Sequence, residues 1–111
     1  MRYLALVLLL FGFFDHTTIT TISNVTVKMP TTIIAPNTCT NPTSVPMNGL
    51  TSNASFTTAF ASNPSSISGW GSVGGLVFNA WPTNNTLNWN VCNQSNVTIT
   101  PGAITLNVGA N

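Results

Sequence analysis

From Thr17 to Asn111 three side chains titrate: Lys28, Cys39 and Cys92. General acid–base catalysis draws on His, Asp, Glu, Tyr, Lys or Cys held at a tuned pKa, and this stretch contains none of the first four. Charged residues make up 3% of the chain, against about 25% in an ordinary domain. The composition therefore speaks against an enzyme. It also excludes nucleic acid as a partner, because one lysine cannot neutralise a phosphate backbone.

The chemistry left to the two thiols is pairing. Two thiolates with no histidine or carboxylate beside them do not complete a tetrahedral metal set, whereas an even cysteine count in a short exported chain reads as a disulfide. Cys39 and Cys92 are expected to bond, closing a loop of about fifty residues and stabilising the fold by roughly 4 kcal/mol. No metal or other cofactor is expected.

A second chemistry is glycan attachment. Asn24-Val-Thr, Asn53-Ala-Ser, Asn84-Asn-Thr, Asn93-Gln-Ser and Asn96-Val-Thr match the N-glycosylation acceptor pattern. A following proline disqualifies Asn41 and Asn63. Net charge near zero invites precipitation, and N-linked glycans would supply the missing solubility. The alternative is that these asparagines are turn and outward-facing strand positions. With no carboxylate or histidine after His16, the chain has no native ion pairs to lose on acidification, so the usual route of acid denaturation is closed.

The elements that position these residues follow from hydropathy patterning. Met1-Arg2-Tyr3 and the apolar run Leu4–Phe14 read as a secretory leader and its hydrophobic helix. The run is too short to span a membrane, and no membrane contact is expected after its removal. The leader covers 1–18, with cleavage somewhere in 17–23. An extended Thr/Ile/Val arm covers 19–36, and Val25, Val27 and Met29 share one of its faces. Residues 37–111 form the disulfide-closed head.

Asn, Ser and Thr in place of charges also occur in disordered chains, but 43% apolar residues with three Trp argue for a core. No helical period follows the leader, so the chain reads as all-β, a small Ig-like β-sandwich. Strands are expected over Ala54–Phe60, Gly75–Trp81 and Leu87–Val91, with Ser66–Gly75 as a loop around Trp70. Val97, Ile99, Ile104, Leu106 and Val108 would share one face if Pro101-Gly102 closed a hairpin. Pro-Gly favours a type II turn, whose twist splays a tight hairpin, so the alternative is a bend that sends Ala103–Val108 elsewhere. The head then holds about six strands, one short of a seven-stranded sandwich.

Leader, arm, small Asn/Ser/Thr-rich β-head, five sequons and near-absence of charge together resemble the subunits of archaeal extracellular thread-type filaments. The resemblance covers the whole chain in layout and rests on composition, without a specific motif. It implies a homopolymer built by donor-strand addition, with Ile19, Ile22, Val25, Val27 and Met29 of one copy entering the next, and sugars on Asn24, Asn53, Asn84, Asn93 and Asn96. It also implies a secreted or cell-surface location. The competing placement of the arm is as the first strand of its own sandwich. Other readings are a carbohydrate-binding module using Trp70, Trp81 and Trp89, a surface-layer component or a virion component. Thr-x-Thr strings also occur on ice-binding surfaces, but no regular repeat lines them up here. A type IV pilin fits less well, because the long apolar helix with an acidic residue near its start is missing.

Overall fold

The computed structural model describes residues 23–71 and 74–111. The expected leader and its helix, and the arm residues Ile19 and Ile22, lie outside them. Within them the fold is the expected small β-sandwich. Six strands form two antiparallel three-stranded sheets: β1 (Ser23–Lys28), β2 (Thr43–Pro46), β3 (Phe56–Phe60), β4 (Leu76–Thr83), β5 (Thr86–Asn93) and β6 (Thr105–Ala110). The first sheet has the order β1-β6-β3 and the second β2-β5-β4. Among the described residues no helix is long and apolar enough to cross a membrane.

Strict alternation makes β5 and β6 the two central strands. Leu87, Trp89, Val91 and Asn93 face inward from β5, and Leu106, Val108 and Ala110 from β6; all are buried. β4 and β5 are joined through Asn84-Asn85, with Asn85 at a φ of 56°, a left-handed conformation that asparagine tolerates better than most residues. The segment Met47–Leu50 caps this turn. Met47 N–H donates to the Asn85 carbonyl and Asn85 N–H to the Leu50 carbonyl, and both apolar side chains are buried.

The arm does not stand outside the body. β1 pairs with β6 along its whole length, from Ser23–Ala110 to Lys28–Thr105. Val27 and Met29 join the core, and Val25 packs against it. In the single chain Val25, Val27 and Met29, named above as donor-strand positions, take the competing placement, within their own sandwich. The physical reason is local supply, since the alternation that would fit a neighbour's sheet fits the chain's own β6 edge equally well.

Of the two readings of Pro101-Gly102, the bend and not the hairpin is found. Ile99 instead bridges Ile34, Gly102 N–H donates to the Ser68 carbonyl, and β6 travels on to pair with β1 and β3. Val97 is exposed as a result. The loop around Trp70 is irregular as expected but carries a core residue. It begins with a 3-10 turn, Pro64–Ser66, in which Asn63 Oδ1 accepts from Ser65 N–H. It then passes Gly69 at a φ of +87°, where a Cβ would meet Leu76 Cδ1 at 2.5 Å.

Candidate strand-acceptor groove

The two flanks of the sandwich differ. On the β1 and β2 side, Val27 and Met29 are buried and Val45 packs against the core, while Thr43, paired with buried Trp89, is exposed. On the β3 and β4 side the inward residues leave a groove. Phe56, Thr58 and Phe60 of β3 pair with Ala110, Val108 and Leu106, so each shares its partner's inward direction. The partners are buried, Leu106 to 2% exposure, yet Thr58 is exposed and Phe60 is 39% exposed. Across the gap, Leu76, Phe78 and Ala80 of β4 are half-buried, although their partners Asn93, Val91 and Trp89 are buried.

The result is an apolar groove of about 390 Å3, lined by Thr58, Phe60, Trp70, Leu76, Phe78 and Leu106 among others. No charged side chain lines it. Trp70 is 3% exposed and meets Phe60 edge-on, with ring centroids 5.8 Å apart. Its indole N–H has no partner among the described residues, an omission that costs about 1–3 kcal/mol when a donor is buried. The Trp89 indole, tilted against Phe78, is unpartnered in the same way.

β3 pairs with β6 alone and β4 with β5 alone among the described residues, so each presents an unpaired row of main-chain groups to this gap. β3 has none of the lysines, prolines or inward charges that blunt an edge. Unpaired edge and apolar groove together suit an added strand, which supplies main-chain hydrogen bonds and alternate side chains at once.

The remaining expected site residues are dispersed. Cys39 and Cys92 form the disulfide, with Cα atoms 3.9 Å apart, tying the segment after the arm to the outer face of β5. Asn24, Asn53, Asn84 and Asn96 are exposed. Asn93 is the exception among the five, because its amide nitrogen is enclosed in the folded chain. The residue is 1% exposed, and both Nδ2 hydrogens are used, to the carbonyls of Ile34 at 3.0 Å and Val97 at 2.8 Å. Its place in phase with Leu87, Trp89 and Val91 was the available signal.

The three tryptophans form no common platform, since Trp70 and Trp89 are core and Trp81 alone is exposed. The groove itself was invisible in the sequence, because the register that points Thr58 and Phe60 inward is set by β6, fifty residues away. Among the described residues no group of three His, Cys, Asp or Glu could hold a metal ion. No protein-family model, curated protein or solved structure matches this chain.

Proposed function

We propose that the chain is a structural subunit of an extracellular filament, in which an N-terminal strand of one copy adds to the open edge of β3 in the next and covers the gap between β3 and β4. The observation that carries this reading is the exposure of Thr58 and Phe60, which point between the sheets beside buried ladder partners. An added strand would bring apolar side chains into the groove.

The donor is shorter than the arm. With β1 retained in its own sheet and the leader of residues 1–18 removed, Ile19–Ile22 remain to be given, and an extended run would offer one isoleucine per face, Ile19 on one and Ile22 on the other. Serving the groove of the same chain would first require a crossing. From β1 across β6 and β3 to a position outside β3 is three strand spacings, about 14 Å. At about 3.3 Å per residue that crossing consumes at least four residues, which leaves too few to pair. Donation to a second copy needs no crossing, because an extended continuation of β1 would run past the sheet end marked by Ser23 and Ala110.

Head-to-tail repetition that does not close gives a filament. The apolar leader, the disulfide and the exposed sequons support assembly outside the cell, with N-linked glycans rather than charge as the solubilising groups. The test is Phe60→Glu in the exported protein. A folded monomer by near-ultraviolet circular dichroism, with filaments lost from electron micrographs, is the expected result. Unchanged filaments in that variant, or wild-type protein that stays monomeric when concentrated, would overturn the reading.

A further inference from the structure

The outer face of the second sheet carries an aromatic ring where alternation places polar groups. Trp81 faces solvent from β4 and is 38% exposed. Its ladder row across the sheet is Trp81–Asn88–Ser44, and the next row pairs Asn79 with Asn90. Ser44 Oγ donates to Asn88 Oδ1 at 2.8 Å, and Asn88 Nδ2 donates to the Trp81 main-chain carbonyl and to Thr83 Oγ1. Asn88 is therefore fully occupied.

The second row is not. Asn79 Nδ2 donates to Asn90 Oδ1 at 3.2 Å and to Cys92 Sγ. Asn79 Oδ1 and Asn90 Nδ2 have no partner among the described residues, which leaves one acceptor and one donor on this row. They lie two positions along the strand from the indole, about 7 Å away on the same face. No charged residue lies in β2, β4 or β5.

We propose that this face binds neutral carbohydrate, with the apolar C–H face of a pyranose on the Trp81 indole and sugar hydroxyls bridging Asn79 Oδ1 and Asn90 Nδ2. A tryptophan offers a large flat apolar surface at low conformational cost, and binding sites orient their ligand with a few convergent polar groups beside such a surface. Absence of charge selects neutral sugars over acidic ones. The ligand can be foreign glycan or the N-glycan of a second copy, and both present the same hydroxylated pyranose.

The experiment uses unglycosylated, disulfide-bonded protein, with the Trp81 indole N–H followed by NMR. One probe is a panel of neutral gluco-, manno- and galacto-oligosaccharides; the other is the glycan released from the native exported protein. A saturable shift with the panel supports foreign glycan, and a shift with the released glycan alone supports recognition between copies. Trp81→Ala should weaken binding more than tenfold, Trp81→Phe should retain part of it, and Asn90→Ala should weaken it about fivefold. Near-ultraviolet circular dichroism should be unchanged in Asn90→Ala, since its side chain serves no buried contact. No shift with either probe at millimolar concentration, or undiminished binding by Trp81→Ala, would overturn the proposal.

Discussion

Replacing Asn93 by Asp should turn a pH-indifferent protein into a pH-dependent one. Asn93 makes four hydrogen bonds from a buried position: Nδ2 to the carbonyls of Ile34 and Val97, and Oδ1 from Ser95 N–H and Ser95 Oγ. The substitution keeps the shape and the accepting oxygen but aims a second oxygen at two carbonyls. At neutral pH this removes two donors, each at a cost of about 1–3 kcal/mol, and adds the several kcal/mol of desolvating an unpaired charge. The total rivals the whole stability of a small domain, about 5–15 kcal/mol.

Burial and the facing carbonyls raise the folded pKa of the new carboxyl above its unfolded value of about 3.9. A raised folded pKa means that the stability is fully present below the unfolded pKa and is lost as pH rises through the folded one. Asn93→Asp should therefore be most stable near pH 3 and lose up to about 1.4 kcal/mol per pH unit above pH 4. Asn93→Ala should cost about 3 kcal/mol at every pH. The wild type should be flat between about pH 4 and pH 8, because the chain after His16 has no carboxylate or histidine side chain. Urea melts at a series of pH values measure all three. A flat profile for Asn93→Asp, or wild-type stability at pH 7, would refute the reasoning.

Val27→Ala should cost about 2 kcal/mol in urea melts, because Val27 is core and no longer part of a free arm. For the same reason, deleting Ser23–Met29 should abolish cooperative unfolding, while deleting Ile19–Ile22 should leave the melting temperature of the unassembled monomer unchanged and abolish assembly. Replacing both Cys39 and Cys92 by Ser should cost roughly 4 kcal/mol, and a loss below about 1 kcal/mol would place the stabilisation elsewhere. Peptide mapping of the exported protein should find Asn93 unmodified and any sugar confined to Asn24, Asn53, Asn84 and Asn96; a glycan on Asn93 would contradict its buried hydrogen-bond set.

Strands whose inward and outward residues differ in polarity were legible in the sequence. Leu87, Trp89 and Val91 announce β5, and Leu106 and Val108 announce β6, because a period of two with one buried face has a single interpretation. β2 was hidden by Pro42 and Pro46, which read as loop but are tolerated on an edge strand whose outer side makes no ladder. Pairing partners were less accessible than strands. Ile99 and Ile104 matched in phase across Pro101-Gly102, but the Asn93 side chain holds Ser95 and Val97 in a local turn and takes the first half of that hairpin out of play. Trp70 had no periodic signal at all, since it reaches the core from an irregular loop. The arm shows the limit most plainly: the alternation of Val25, Val27 and Met29 states that they pair and says nothing about whose sheet they join.

Cryo-electron microscopy of the native exported assembly tests strand addition most directly. The account predicts filaments in which each β3 edge is paired with a strand from a neighbouring copy, a strand that runs without a break into that neighbour's Ser23 and β1. Heads in which the edge of β3 and the gap towards β4 stay empty, or a preparation containing monomers alone, would contradict it.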